Sequence, residues 1–201
     1  FDAREKNPYL HYGTKWGYKD SYIYEKMYEE YARLRTENRP FCLIMRTVDT
    51  HFPGGSVEND RRIYGDTRDA VIESSRMCSD FVRSIQAFGD DTTIVVVGDH
   101  LWMDSPLDNF TNFTAQLKNR EIYNVFINTV FSPDHVNTRR KFATFDLAPT
   151  ILESMGATLE GHRFGLGTSL FSEEKTLCET YGTAFVNKEF QKHHPFYQKL
   201  F

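Results

Sequence analysis

The chain has 201 residues, which is within the usual size of one domain and enough to enclose a substantial core. Its 24 basic and 28 acidic side chains give a net charge of −4, so it lacks the basic excess of a nucleic-acid-binding domain. Hydrophobic residues at 40% and aromatic residues at 15% exclude a disordered or low-complexity chain. We therefore expect a folded protein that does not have nucleic acid as a partner.

The start of the sequence, FDAREK, contains neither an initiator Met nor the apolar core of a signal peptide. Such a start is typical of a chain that begins within a longer protein. No apolar run approaches the roughly 20 residues that span a bilayer. No linker-like composition divides the sequence, so we expect a single domain over residues 1–201.

The three cysteines, Cys42, Cys78 and Cys178, are too few and too irregularly spaced for a disulfide scaffold or a zinc knuckle. The odd count leaves at least one thiol unpaired within a single chain. Cys42 and Cys78 lie in apolar stretches, where a cysteine behaves as a small buried hydrophobic residue. The cysteines therefore leave the redox state and the compartment open.

The first predicted helix begins at Asp20 or Ser21, either of which is a suitable N-cap. Pro40 ends the helical region. Between them, apolar side chains recur every three or four positions, as one face of a helix requires: Tyr24, Met27, Tyr28, Tyr31 and Leu34. Ordinary core packing explains this tyrosine-rich stripe.

The apolar run at 41–48 predicts a strand buried on both faces. A helix over 66–88 and a β-branched strand over 92–97 follow, and together the three segments predict a βαβ crossover with parallel strands. A third strand is predicted over 123–130, a short helix from Asp146 through Met155, and one helix over 176–188 in the tail. This alternation predicts an α/β fold with a mainly parallel sheet flanked by helices.

Acidic and histidine side chains follow both strands of the predicted crossover. Asp49 and His51 come after the first strand, and Asp99 and His100 after the second. Because the carboxyl ends of parallel strands share one sheet edge, we expect these side chains to converge. Their oxygen and nitrogen donors suit Mn²⁺, Zn²⁺ or Mg²⁺. An Asp after a strand also often caps the next element, so both a metal site and ordinary turn residues stay open.

Four segments in order resemble a known family: TVDTHFP at 47–53, IVVVGDH at 94–100, FDLAPTIL at 145–152 and GLGTSLFS at 165–172. The segment WGYKD at 16–20 fits the same pattern. Together they resemble the C-terminal half of the sulfatase-like branch of the alkaline phosphatase superfamily. Within it they are most similar to bacterial phosphoglycerol transferases that modify periplasmic glucans or synthesise lipoteichoic acid. The resemblance spans residues 16–172 and implies an alkaline-phosphatase-like layered fold, of which this chain is the C-terminal part.

The resemblance implies a metal-dependent transferase. In this family a Thr nucleophile takes phosphoglycerol from the phosphatidylglycerol head group, and a hydroxyl of an envelope glycan or glycerol-phosphate polymer then accepts it. By motif position, Asp99 and His100 are metal ligands, His51 is catalytic and binds substrate, and Asp104 contacts substrate. The metal is typically Mn²⁺, with Mg²⁺ or Zn²⁺ in relatives. A metal ion lowers the pKa of the nucleophile, and an imidazole supplies a proton near neutral pH.

The chain also departs from the family pattern. The family's nucleophilic Thr and first acidic ligand lie upstream of the WG segment, so this chain contains no nucleophile, and we expect it to be inactive alone. The family's membrane helices also lie upstream, which implies that the full-length protein is at the extracytoplasmic face of the bacterial membrane or in the periplasm. Asp104 occupies a position that often carries a small hydroxyl residue in lipoteichoic acid synthases. Residues 54–66 lack the cysteine of the glucan-modifying enzymes, although Cys78 fits a second one.

Other functions stay open. A phosphoethanolamine transferase, a sulfatase or a phosphodiesterase of the same superfamily would share the metal chemistry and differ in the head-group pocket. Cys42 does not begin the Cys-x-Pro-x-Arg motif of sulfatases, because the Pro is missing. A non-catalytic glycan- or partner-binding domain is an alternative of another class. It would use exposed aromatic side chains and would have no metal site even in the complete protein.

Overall fold

The structure is a computed structural model. It describes residues 17–51, 63–64, 67–89, 91–102, 109–117, 121–132, 136–193 and 195. The described residues belong to two compact units, one within Phe1–Asp90 and Leu101–Glu121 and the other within Asp91–His100 and Ile122–Phe201. Within the described ranges, no helix is both long enough and apolar enough to cross a membrane.

The first unit is built on two helices, α1 (Asp20–Leu34) and α2 (Thr67–Gln86), with a short α3 (Asn109–Thr114). The predicted packing of the tyrosine stripe is confirmed at Tyr24, Tyr31 and Leu34, which are buried, whereas Tyr28 is exposed. The Tyr24 ring lies 5.2 Å from that of Phe81 on α2, and the Tyr31 ring lies 5.4 Å from that of Phe88 just after it. Aromatic pairs at this spacing add to the hydrophobic stabilisation of the helix pair.

The second unit contains two small sheets. Strand β1 (Ile94–Val97) pairs antiparallel with β2 (Asn124–Ile127), and Ile94 lies opposite Ile127. Helix α4 (Leu147–Ser154) is followed by a hairpin of β3 (Arg163–Phe164) and β4 (Gly167–Thr168), also antiparallel. The Phe171 ring stacks on Phe131 at 4.6 Å and meets Phe126 edge-on at 5.4 Å. This phenylalanine cluster joins the β2 region to the segment after the hairpin.

The predicted parallel sheet is wrong for the described strands, since both strand pairs are antiparallel. The run at 41–48 is not a β-strand, so the predicted βαβ crossover is also wrong. Cys42, Ile44 and Arg46 of this run are exposed, and Ile44 keeps 91% of its surface accessible. A continuous apolar run does not encode which strand it pairs with or which of its side chains are buried, and the prediction failed there.

The single helix predicted over 176–188 is two helices, α5 (Leu177–Tyr181) and α6 (Thr183–Phe190). Gly182 separates them with φ 86° and ψ 144°, a conformation that favours glycine. Thr176 caps α5 because its Oγ1 accepts the N–H of Glu179 at 3.1 Å, and the Glu179 carboxylate accepts the N–H of Thr176 at 2.9 Å. Periodicity alone did not show this break, because it does not encode the backbone angles of the glycine.

A buried Asp lies at the start of α4. Asp146 has no exposed surface, and its carboxylate accepts the N–H groups of Ala143 and Thr168, both at 2.8 Å. The predicted helix start is confirmed, and a 3₁₀ turn (Thr144–Asp146) precedes the helix. Burial raises the pKa of Asp146, and these two hydrogen bonds and the positive charge of Arg140 offset only part of that rise. Asp146 therefore ties the start of α4 to the hairpin.

Arg140 connects several segments of the second unit. Its side chain is 6% exposed and forms an ion pair with Glu179 at 2.6 Å. It also donates to the carbonyl oxygens of Ser169 at 3.1 Å and Ser172 at 2.6 Å. The hydrogen bonds from Arg140 hold the pKa of Glu179 at about 2, well below its usual range. Arg140 thus joins α5 to the segment that follows the hairpin.

Candidate functional site

The segment that carries Asp99 and His100 begins where β1 ends. The N–H of Gly98 donates to the carbonyl oxygen of Tyr123 at 2.8 Å, just before β2. A Cβ atom at position 98 would lie only 2.8 Å from Cγ2 of Ile122. Glycine therefore allows the close approach of the two chain segments that fixes where the turn at Asp99 starts.

Asp99 and His100 present a carboxylate and an imidazole side by side. Oδ1 of Asp99 accepts the N–H of His100 at 2.9 Å, and Oδ2 of Asp99 lies 3.5 Å from Nε2 of His100. Their side chains are 78% and 53% exposed. Both keep more than half of their surface exposed, and their oxygen and nitrogen donors suit Mn²⁺, Zn²⁺ or Mg²⁺.

Two side chains are fewer than a divalent ion needs. Within the described ranges, no group of three or more His, Cys, Asp or Glu side chains is arranged to hold a metal ion. The donor set of Asp99 and His100 therefore fits part of a metal site, and a complete site requires further ligands.

Of the other predicted site residues, the structure describes His51. His51 is half-buried at the end of a turn in the first unit, whereas Asp99 and His100 belong to the second. The turn is closed by the N–H of His51, which donates to the carbonyl oxygen of Val48 at 2.9 Å. The predicted substrate contact Asp104 lies outside the described residues.

Sequence reasoning missed the part that Asp20 plays in this turn. Oδ1 of Asp20 accepts the N–H groups of Val48 at 2.7 Å and Asp49 at 3.1 Å. In return, Oδ2 of Asp49 accepts the N–H of Asp20 at 3.3 Å. We predicted Asp20 or Ser21 as the N-cap of α1. That prediction is wrong, because Lys19 is the N-cap residue and no side chain of the N-cap bonds the helix end. The signal that could have located Asp20 was its place in the WGYKD segment.

The environment of Asp20 disfavours its charge. The side chain has no exposed surface, and burial raises the pKa of Asp20 to about 6. The N–H groups of Val48 and Asp49 lower the pKa, and the nearby carboxylate of Asp49 raises it. Oδ2 of Asp20 is buried and has no hydrogen-bond partner among the described residues. Asp20 also forms no ion pair in that part of the chain.

Comparison with curated proteins finds relatives named phosphoglycerol transferase I in Escherichia coli. Those of strain SMS-3-5, strain 55989 and the O157:H7 strain EC4115 are each 28% identical to this chain over 172 residues. The match covers 81% of this chain and 22% of each relative. The chain thus spans about a fifth of the length of the curated relatives it matches. No family model matches the chain, and no solved structure matches it.

The relatives that the chain matches are bacterial proteins with a transferase name. More particularly, the chain is related to phosphoglycerol transferase I, and the resemblance that the ordered motifs indicated is confirmed.

Proposed function

We propose that the full-length protein containing this chain transfers phosphoglycerol in a metal-dependent reaction. The donor is phosphatidylglycerol, and the acceptor is a hydroxyl of an envelope glycan or glycerol-phosphate polymer. The observation that carries the proposal is the 28% identity to phosphoglycerol transferase I over 172 residues. In this proposal the 201 residues are the C-terminal part of a catalytic domain of the alkaline-phosphatase type.

Asp99 and His100 hold the metal ion in the proposed site, which is Mn²⁺ in preference to Mg²⁺ or Zn²⁺. The exposure of both side chains next to a fixed strand end supports this role. When bound, the ion lowers the pKa of the attacking hydroxyl and offsets negative charge on the phosphoryl oxygens. The remaining ligands and the Thr nucleophile come from sequence outside this chain, so the 201 residues alone are inactive.

His51 is the residue that acts on the leaving group. Transfer breaks the bond between phosphorus and the diacylglycerol oxygen, and that oxygen needs a proton as it departs. An imidazole changes its protonation near neutral pH, so it can donate that proton or stabilise the phosphoryl charge. The hydrogen-bonded turn at 48–51 supports this role, because it restrains the backbone from which the imidazole projects. Asp104 contacts the glycerol or the acceptor.

The lipid donor places the reaction at the extracytoplasmic face of the bacterial membrane. The membrane-anchoring helices are outside this chain in the proposal, and the catalytic domain faces the envelope glycans. Phosphoethanolamine transfer requires the same metal chemistry with another lipid head group, so the donor is the variable that an experiment should change first.

The test uses full-length protein with Mn²⁺, an envelope glycan, and vesicles of either phosphatidylglycerol or phosphatidylethanolamine. We expect diacylglycerol release only from phosphatidylglycerol. Asp99→Ala should lower both bound Mn²⁺ and turnover by at least about 100-fold. His51→Ala should keep the metal and lose turnover. Asp91→Ala is the matched control, because this exposed Asp precedes the same strand at its other end.

Three outcomes would overturn the proposal. Release from phosphatidylethanolamine alone would make the protein a phosphoethanolamine transferase. Full activity of Asp99→Ala would remove the ligand assignment. Absence of both metal binding and transfer in the full-length protein would favour the non-catalytic binding domain.

A further inference from the structure

We infer that Asp20 is a positioning residue that fixes the turn carrying His51. The inference rests on the proposed function, because it takes His51 as the residue that acts on the substrate. Asp20 itself lies in no predicted metal or substrate contact, and it acts through the backbone of Val48 and Asp49.

Three hydrogen bonds connect Asp20 to the turn in both directions. One carboxylate oxygen accepts two consecutive N–H groups, those of Val48 and Asp49, and the N–H of Asp20 donates to the side chain of Asp49. The turn is then closed by the bond from His51 to Val48. Val48 is therefore bonded directly to Asp20, the first residue of α1, and His51 is connected to Asp20 through Val48.

Helix α1 gives Asp20 a fixed position. The helix is 15 residues long, and one turn beyond Asp20 the buried Tyr24 packs on Phe81 of α2. Asp20 at the helix start is completely buried. A side chain anchored in this way restrains the turn it bonds, which restrains the direction from which the His51 imidazole projects.

Stability alone does not favour a carboxylate at this position. A buried oxygen without a partner, such as Oδ2 of Asp20, costs free energy compared with an apolar or fully bonded side chain. The two hydrogen bonds that Oδ1 of Asp20 accepts from the N–H groups of Val48 and Asp49 offset this cost. An asparagine would keep that acceptor and remove the charge, whereas alanine would remove both, so the two substitutions separate positioning from electrostatics.

Asp69 provides a matched control in the same unit. It lies in the first turn of α2, is 4% exposed, and accepts the N–H groups of Ile63 at 2.9 Å and Tyr64 at 3.0 Å. Asp69→Ala therefore removes the same kind of interaction, a buried carboxylate at a helix start that bonds two consecutive N–H groups. The segment released by this control is not the turn that carries His51.

The structural test records the imidazole signals of His51 by NMR in the purified 201-residue chain, with circular dichroism as a check of folding. We expect Asp20→Ala to shift and broaden the His51 signals, while Asp20→Asn and Asp69→Ala leave them in place. Where Asp20→Ala does not fold, Asp20→Glu tests the inference instead. The glutamate keeps the charge, but its extra methylene displaces the acceptor oxygen, so it should shift the same signals. Unchanged His51 signals in a folded Asp20→Ala or Asp20→Glu variant would overturn the inference, as would an Asp20→Asn spectrum displaced like that of alanine.

The kinetic test uses the full-length protein and separates kcat from KM. Because a displacement of about 1 Å can cost roughly 100-fold in rate, we expect Asp20→Ala to lower kcat by about 10- to 100-fold and to change KM by less than about 3-fold. Asp20→Asn and Asp69→Ala should stay within about 3-fold of the wild-type kcat. A kcat of Asp20→Ala equal to that of Asp69→Ala would contradict the inference. If the wild-type protein transfers no phosphoglycerol, the proposed function fails, and the His51 signals still decide whether Asp20 positions the turn.

Discussion

Two buried aspartates make the same backbone connection in the two units, with different surroundings. In the Asp20 corner, formed by Asp20, Val48 and Asp49, the carboxylate accepts two N–H groups from a turn 28 and 29 residues away. In the Asp146 corner, formed by Asp146, Ala143 and Thr168, the carboxylate accepts two N–H groups as well. Neither aspartate has exposed surface. The two therefore match in burial as well as in the number of N–H groups that each accepts.

The neighbouring charges separate the two corners. Burial raises the pKa of both aspartates. Near Asp146 the positive charge of Arg140 offsets part of this effect and the carboxylate of Glu179 adds to it, whereas near Asp20 the carboxylate of Asp49 adds to it. The Asp146 corner therefore has a cation beside it and serves the packing of its unit. In our proposal the Asp20 corner instead fixes the turn of His51.

Removing the compensating cation should break the Asp146 corner most strongly. Arg140→Met leaves Glu179 and Asp146 without their positive neighbour and frees the carbonyl oxygens of three residues, so we expect a loss of about 3–5 kcal/mol in the free energy of unfolding. Urea unfolding of the chain measures this loss of stability. Arg139→Met is the control, because this adjacent arginine is exposed and should change stability by less than about 0.5 kcal/mol. Equal effects of the two substitutions would show that Arg140 does not stabilise the corner.

A methyl group at Gly167 should disrupt the same corner sterically. Its Cβ would overlap the carbonyl oxygen of Phe145 and lie 3.0 Å from Cδ of Pro149, directly before the Thr168 N–H that bonds Asp146. We expect Gly167→Ala to cost about 2–4 kcal/mol by urea unfolding. Gly165→Ala adds a methyl group at φ +60° with nothing within 4 Å, and should cost only about 1 kcal/mol. A smaller loss at Gly167 than at Gly165 would contradict the packing described.

The raised pKa of the buried Asp20 should appear in the pH dependence of stability. Its pKa is raised from 3.8 to about 6 in the folded state, so the folded chain binds more protons than the unfolded chain between these values. Stability from this group is present below pH 3.8 and is lost as the pH rises through about 6. Compared with Asp20→Asn, the wild-type chain should lose roughly 2–3 kcal/mol between pH 4 and pH 7. A difference that stays constant over this range would refute the raised pKa of Asp20. Asp91→Asn is the control, because this Asp is exposed and should show no such pH dependence.

Glu179 should show the opposite sign, with a smaller effect. Its pKa is lowered from 4.5 to about 2 by its hydrogen bonds with Arg140, so its contribution is present above pH 4.5 and is lost as the pH falls toward 2. At pH 7 we expect Glu179→Gln to be about 1–2 kcal/mol less stable than wild type. The gap should close below pH 4.5 in denaturant titrations. Glu174→Gln is the exposed control, and a gap for Glu179→Gln that persisted at pH 2.5 would contradict this assignment.

The sequence was sufficient where local periodicity determines structure. The three- and four-residue spacing around Tyr24 and Tyr31 located α1 and its buried face, and the β-branched run before Gly98 located β1. Strand pairing was not predictable from these patterns, because it depends on contacts between distant segments. The break at Gly182 depended on backbone angles that a side-chain pattern does not carry.

The candidate site was predictable only in part for the same reason. Motif order predicted Asp99, His100 and His51 as site residues, and the structure shows the first two side by side and exposed. The connection from Asp20 to Val48 spans 28 residues and uses backbone N–H groups, which carry no side-chain signature. A tertiary hydrogen bond of this kind is visible only once the chain is folded.

The most direct test of the Asp20 corner is amide hydrogen exchange at Val48 and Asp49 in the 201-residue chain. We expect Asp20→Ala to raise the exchange rates of these two amides by at least about 10-fold and to leave the Thr168 amide, bonded to Asp146, unchanged. Exchange rates at Val48 and Asp49 equal to those of the wild-type chain, in a variant that is still folded, would show that Asp20 does not hold the turn.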